Sequence, residues 1–167
     1  MEKVRLNITH TEENKLPSNI EAEQSLIGSV LVNNDIIDEI SNIINSGKFF
    51  DPMHRKIYEV IESFNNKGMI ANPITLKNYF ENDSGLSEIG GTDYLIKLTR
   101  FSSSIKQAID YAKIIHEMYV KRELIFISDG ISYEAKDDQI EKTGENIIEG
   151  AEKSLFDLAE RGNFSQT

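Results

Sequence analysis

The sequence predicts an all-α fold in which a compact multi-helix head is followed by a long antiparallel helical hairpin. Apolar residues recur three and four positions apart along most of the chain, which is the spacing of one helix face. Proline and glycine interrupt this pattern before residue 101, as short helices require. Residues 105 to about 136 contain no proline and a single glycine, so one helix of roughly 45 Å fits there. We therefore predict a flexible polar tail at 1–15, a globular helical head at 16–101 and a helical hairpin at 102–161.

Composition and charge limit the partners to expect. Without cysteine the chain has neither a disulfide framework nor a thiolate metal site. It contains no apolar run long enough to span a membrane and no signal peptide, so a cytoplasmic location without a membrane partner is expected. The net charge is −10, and the basic residues cluster only as the pairs Arg55-Lys56 and Lys121-Arg122. Direct nucleic-acid binding needs clustered bases, so protein partners are favoured.

Helix start and stop signals organise the head. In "PSNIEAEQSLIGSVLVNN", Ser18 and Glu21 have the spacing of a capping box that opens the first helix. "DIIDEISNIINSG" predicts a second helix that ends at Gly47. "DPMHRKIYEVIESFNNKG" and "NPITLKNYFEND" each open on a capping residue followed by proline. The fourth of these helices is predicted to bury Leu76, Tyr79 and Phe80. A glycine turn, "GLSEIGG", then leads to a last head helix, "TDYLIKLTRF".

The long helix of the hairpin carries two apolar faces. At about 100° per residue, one side holds Val120, Leu124, Ile127 and Ile131. Nearly the opposite side holds Ile115, Tyr119, Phe126 and Tyr133. The second hairpin helix, "NIIEGAEKSLFDLAE", presents Ile148, Ala151, Leu155 and Leu158 and covers only one of these faces.

The other face must meet either the head or another chain. Because the helix is expected to extend beyond the head after residue 120, a subunit interface is favoured over an internal contact. The predicted interface residues are Val120, Leu124, Phe126, Ile127, Ile131 and Tyr133.

No residue pattern predicts chemistry. "GLSEIGGT" has the glycine spacing of a phosphate-binding loop, but Gly91 stands where the phosphate-binding lysine is required, and helical rather than strand sequence precedes it. The three histidines do not cluster, and His54 and His116 are predicted to be surface or interface residues. We therefore predict no catalytic, cofactor or metal site in this sequence.

The order and spacing of several segments resemble one known domain. "LPSNIEAEQSLIGSVLVNN", "DPMHRKIYEVI", "IGGTDYLIKL" and "AEKSLFDLAE" are similar to the N-terminal domain of the bacterial replicative DNA helicase of the DnaB type. The resemblance covers roughly residues 16–160. It implies a non-catalytic assembly and primase-binding domain whose hairpins pair between subunits in a ring of six. Two other hypotheses are a stand-alone helical scaffold and a helicase-regulating paralogue.

The resemblance also implies partners. They are other copies of the chain, the C-terminal region of primase and a helicase loader. Ile125 and Ile131 match positions at which the family's hairpin influences primase contact. Residues 162–167 would begin a linker to a RecA-like ATPase domain, and ATP and magnesium would bind in that motor rather than in this region.

Overall fold

The computed structural model describes residues 15–162 and consists of helices and their connections, with no strand in that range. Apart from Lys15, the predicted tail lies outside the described residues, and so does the predicted linker after Gly162. The helices are α1 (Ile20–Val32), α2 (Ile36–Ile40), α3 (Pro52–Asn66), α4 (Pro73–Phe80), α5 (Ser84–Glu88), α6 (Thr92–Thr99), α7 (Ile105–Ala135) and α8 (Gly144–Gly162), with a 3₁₀ turn at Ser46–Lys48. This confirms the all-α prediction, a many-helix head followed by two long helices.

Side-chain caps fix where the helices begin. Asn19 caps α1 by accepting a hydrogen bond from the Ala22 amide at 2.9 Å, so the predicted capping role of Ser18 is wrong by one residue. Asp51 accepts from the Met53 amide at the start of α3, and Asn72 forms a capping box with Thr75 at the start of α4. Ser104 forms a capping box with Gln107 at the start of α7.

The second helix is much shorter than predicted. The α-helix ends at Ile40, and Gly47 lies inside the 3₁₀ turn instead of capping a helix. Asn45 adopts an extended conformation, which ends any continuous helical path through this segment. Polar and β-branched residues form helix poorly, so packing determines this segment's conformation. Ile36, Ile37, Ile40 and Ile44 are nevertheless buried, and Ile43 is partly buried against the same core.

Helix α1 is the centre of the head and packs on both α6 and α7. The core is almost entirely aliphatic, with Phe49, Tyr58 and Phe80 as its buried aromatic residues. Close approach to α6 depends on Gly28, because a Cβ atom built there would lie 1.9 Å from the Leu98 carbonyl oxygen. A residue larger than glycine at this position would force the two helices apart.

Two details of the predicted head change in the structure. Tyr79 is exposed, with its ring centre 5.4 Å from that of Phe80, so its predicted burial is wrong. The glycine segment begins with the one-turn helix α5, and Gly90 and Gly91 then form the turn with φ values of 119° and 64°. These left-handed conformations favour glycine, so the segment is a connection between helices.

The hairpin extends beyond the head. Ala108, Ala112, Ile115 and Arg122 are the buried residues of α7, so no residue after Arg122 on this helix is fully covered. On α8, Leu158 is buried, but Ile148 and Leu155 are 60% and 43% exposed. The predicted inner stripe of α8 is therefore wrong at Ile148, and Ile147 lines a groove with α7 instead. Ala151 and Leu155 of the predicted stripe also line grooves with α7. None of the described helices is long and apolar enough to cross a membrane.

Substituting Gly28→Ala should destabilise the head, because the added methyl group collides with the backbone of α6. We expect a loss of about 2–3 kcal/mol, which lowers Tm by roughly 5–10 °C for a chain of this length. Thermal unfolding followed by circular dichroism measures the change. The matched control is Gly144→Ala, where a Cβ meets nothing within 4 Å, and this variant should unfold at or above the wild-type temperature. If Gly28→Ala and the wild type have the same Tm, the close approach of α1 to α6 does not require glycine.

Candidate functional site

Two grooves lie along the hairpin between α7 and α8. The tip groove has a volume of about 370 Å³. It is lined by Phe126, Ile127, Gly130, Ile131 and Glu134 from α7 and by Ile147, Gly150, Ala151 and Ser154 from α8. The base groove lies nearer the head and is lined by His116, Glu117, Val120, Leu124, Leu155, Leu158 and Ala159.

The structure separates the six predicted interface residues into two groups. Val120, Leu124, Ile127 and Ile131 line the two grooves along α8, so this face of α7 meets its own hairpin partner and is partly covered by it. Phe126 and Tyr133 are 50% and 75% exposed. They lie on the same side of α7 as Ile115, which is buried against the head. They are farther along the helix, where the head no longer covers this side.

The two residues predicted to influence primase contact do not converge. Ile125 is half-buried, and Ile131 is 36% exposed in the tip groove. Six residues along a helix correspond to a rotation of about 120° between the two positions. They therefore face different sides of α7, and no described contact joins them.

A buried arginine joins the hairpin to the head. The Arg122 side chain donates to the Pro17 carbonyl at 2.7 Å and to the Lys48 carbonyl at 2.8 Å. Its guanidinium carbon lies 5.2 Å from the centre of the Phe50 ring. Burial is the main cause that lowers the Arg122 pKa from its ordinary value. A planar group with several donors can link α7 to two backbone segments at once, which lysine cannot do with the same geometry.

Lys48 forms a second link between head and hairpin. Its ammonium group donates to the Ile43 carbonyl at 2.9 Å and lies 3.1 Å from Nδ1 of His116 on α7. Burial, reinforced by the charge of Arg161, lowers the pKa of Lys48 to about 8. Burial, reinforced by Lys48, also lowers the pKa of His116. Arg161 from α8 donates to the hydroxyl of Tyr119 on α7 at 3.0 Å, so the two hairpin helices are joined to each other near this point.

A buried polar network fixes the segment that receives Arg122. The Glu23 carboxylate accepts hydrogen bonds from the Phe50 and Asp51 amides at 2.7 and 3.2 Å. It also lies 2.8 Å from Nδ1 of His54, whose Nε2 is 2.6 Å from the Tyr94 hydroxyl. His54 is fully buried, so its predicted surface location is wrong. The network uses its polar groups internally, and no buried side-chain nitrogen or oxygen of the described residues lacks a partner.

These polar side chains join elements of the fold to one another. Within residues 15–162, no group of three or more metal-ligating side chains is close enough to hold an ion. Sequence reasoning missed Glu23, His54, Lys48 and Arg122, which connect the elements. Arg122 had a usable signal, because it follows Ile115 by seven residues and therefore shares its head-facing side.

Comparisons with known proteins agree with the fold. The sequence profile described as the DnaB-like helicase N terminal domain matches residues 15–117. A relative, the replicative DNA helicase DnaB of Rickettsia bellii (strain RML369-C), is 42% identical over 147 residues, which are 88% of this chain and 30% of that helicase. This chain therefore spans about 30% of the length of the curated relatives that it matches.

Two solved structures share the fold. The crystal structure of the N-terminal domain of DnaB helicase from Mycobacterium tuberculosis superposes with a TM-score of 0.73 at 24% identity, covering 86% of this chain and 99% of that one. A second structure, of a DnaB-like replicative helicase and its interactions with primase, gives a TM-score of 0.64 at 24% identity and covers 84% of this chain and 31% of that one. Because the matching profile covers more than half of the residues, the chain belongs to the DnaB-like helicase N-terminal domain family.

Proposed function

We propose that this chain acts as the non-catalytic N-terminal assembly and primase-binding domain of a hexameric replicative DNA helicase. Its place of action would be the cytoplasm, in DNA replication and primosome formation. Family membership and the name of the relative that is 42% identical support the helicase context. The observation that carries the proposal is the hairpin, which extends from the head with apolar residues uncovered on more than one side.

Self-association explains the uncovered hairpin surface. Leu124, Phe126, Tyr133, Ile148 and Leu155 are all at least 43% exposed, and together they follow the projecting part of two adjacent helices. Large contiguous apolar surfaces on folded proteins generally mark contacts with other proteins. Pairing of hairpins between copies of the chain removes this surface from water, which is the main favourable term in such association.

Primase is the proposed external partner. Support comes from the solved relative whose described subject is a DnaB-like replicative helicase and its interactions with primase. The acidic net charge of −10 favours a protein partner over direct contact with nucleic acid. A helicase loader is a further proposed partner of the assembled protein.

Nucleotide chemistry is assigned to another part of the helicase. ATP and magnesium would bind in a RecA-like motor domain, reached through a linker that begins at residues 162–167. In the present region the glycine turn before α6 offers Gly91 where a phosphate-binding loop requires lysine. Unwinding would therefore depend on the motor, while this domain organises subunits and partners.

Hairpin association can be tested with one charged substitution on each side of the hairpin. An unpaired carboxylate is costly in an apolar interface, so Phe126→Asp or Leu124→Asp should reduce the molar mass of the assembly measured by light scattering. Both side chains are about half exposed in the single chain, and circular dichroism should therefore show retained helix. Glu152→Lys, at an exposed position of α8, serves as a control for altered charge. A monomeric wild type at high concentration, or unchanged mass in both variants, would refute assembly through the hairpin.

Primase binding can be tested by titrating the C-terminal region of the cognate primase into the assembled protein by calorimetry. We expect binding with a Kd of tens of micromolar or tighter, about −6 kcal/mol or more favourable. Ile125→Asn and Ile131→Asn should each weaken it, because both replace apolar contact surface with an amide. If titration of the wild-type protein gives no heat of binding at these concentrations, the proposed partner is wrong. If both variants still bind primase as the wild type does, only the placement of the site is wrong. Light scattering of the variants must be unchanged, which shows that their assembly is intact.

A further inference from the structure

A contact between an ammonium group and an imidazole joins three elements at the base of the hairpin. Lys48, in the 3₁₀ turn of the head, is 3% exposed, and its ammonium nitrogen lies 3.1 Å from Nδ1 of His116 on α7. His116 is half-buried and also lines the base groove beside Leu158 of α8. We call Lys48, His116 and Leu158 the junction, because the head, α7 and α8 meet there.

The contact at the junction requires a neutral His116. An ammonium group only donates hydrogen bonds, so Nδ1 of His116 must accept, and an accepting ring nitrogen carries no proton. A protonated imidazole has a donor on both nitrogens and a positive charge. Proton uptake would therefore replace a hydrogen bond with two cations 3.1 Å apart. Like charges at this distance repel strongly where burial limits screening by water.

The charges closest to the contact do not neutralise a second cation. The 3₁₀ turn supplies Lys48 itself, and α8 supplies Arg161, whose charge acts on Lys48. Tyr119 of α7 is uncharged, with its ring centre 5.8 Å from the Lys48 ammonium. Glu117, the next residue on α7, is the carboxylate that favours a protonated His116, and it is exposed. Two cations therefore oppose one screened carboxylate.

Other charged groups on the surrounding elements are exposed or already engaged. The exposed groups are Lys113 on α7, Asp38 and Glu39 on α2, and Asp157 and Glu160 on α8. The Glu23 carboxylate of α1 is buried, but it accepts hydrogen bonds from the amides of Phe50 and Asp51. Water and salt screen exposed charges, so the geometry of the junction dominates the response of His116 to acid.

Few contacts hold the end of α8 to α7. Leu158 is the one buried residue among the described residues of α8, and it lines the base groove together with His116. Arg161 adds one hydrogen bond, to the Tyr119 hydroxyl at 3.0 Å. The base groove is the open space beside His116, so a charged imidazole that leaves Lys48 turns toward Leu158.

We propose that the junction is an acid-sensitive switch: proton uptake by His116 drives its imidazole away from Lys48 into the base groove, displaces Leu158 and releases the last two turns of α8 from α7. The proposal concerns contacts inside one chain, so it does not depend on pairing of hairpins or on primase. The acidity of the surroundings would then set the direction in which the end of α8 leaves the domain.

The pH dependence has one sign. Burial and the Lys48 charge lower the pKa of His116 from its ordinary value of 6.5. The released form therefore binds the proton more readily, so the closed form is fully favoured above about pH 6.5 and loses stability as the pH falls through the lowered value. The pKa of Lys48 is lowered to about 8, and its neutral amine can still donate to the Ile43 carbonyl. Acid thus opens the switch, and alkali does not.

Single-molecule energy transfer between a dye on α3 and a dye on α8 tests the switch. The chain has no cysteine, so Glu59→Cys and Glu160→Cys, both at exposed positions, supply the two labelling sites. Very dilute protein keeps the chains separate, so pairing of copies does not enter. Lowering the pH from about 7.5 to about 5.5 should raise the released fraction at least about threefold, because this range spans the ordinary pKa of histidine.

Three variants, each in the labelled protein, identify the group that responds. His116→Asn keeps an acceptor at the position of Nδ1 but takes up no proton, so its released fraction should change less than about 1.5-fold over the same range. Glu117→Gln removes the carboxylate that favours protonated His116, so its release should begin at a lower pH than in the wild type. The matched control Glu134→Gln removes an exposed carboxylate of α7 near the hairpin tip and should leave the midpoint unchanged.

Three results would overturn the proposal. One is a wild-type released fraction that is equal at both pH values. Another is an acid response of His116→Asn as large as that of the wild type, which would assign the response to other groups. The third is an equal shift of the midpoint in Glu117→Gln and Glu134→Gln, which would make it an effect of net charge. If His116→Asn fails to fold by circular dichroism, the comparison of the two glutamate variants still decides, because both positions are exposed.

Discussion

The position of the hairpin relative to the head depends on the hydrogen bonds that the Arg122 guanidinium group donates. It is the last buried residue of α7, and its hydrogen bonds reach the segment before α1 and the loop before α3. One side chain therefore connects three parts of the chain at the level where the long helix leaves the head. Beyond that level no residue of α7 is buried, and the groove along this part of the helix is lined by α7 and α8.

Polar contacts inside the head hold the backbone segment that binds Arg122 in a fixed position. Glu23 holds the backbone of Phe50 and Asp51, and His54 joins Glu23 to Tyr94. The Arg122 guanidinium group lies over the Phe50 ring and donates one hydrogen bond to the Lys48 carbonyl. Buried polar groups of this kind are costly unless each is paired, and here they are paired. The result is a fixed base from which a hairpin with uncovered apolar surface extends, and the proposed assembly function needs such a base.

Much of this could be predicted from sequence because helix periodicity is local. The head, the long helix and the two-faced character of α7 follow from spacing within the chain, and the structure shows Ile115 buried while Phe126 is uncovered. The errors arise where the deciding contact is distant. Ser18 and Asn19 are both good caps, and Ile147 and Ile148 are equally apolar, so only the packing partner selects between them. His54 looked like a surface residue because its partners Glu23 and Tyr94 are 31 and 40 residues away.

Amide hydrogen exchange, resolved along α7 at low and at high protein concentration, tests the central claim most directly. The account predicts that amides up to Arg122 are protected equally at both concentrations, because the head already covers that part of the helix. Amides after Arg122 and those along the facing part of α8 should exchange faster in dilute solution and become protected as copies associate. Equal protection along the whole of α7, unchanged by concentration, would contradict the account.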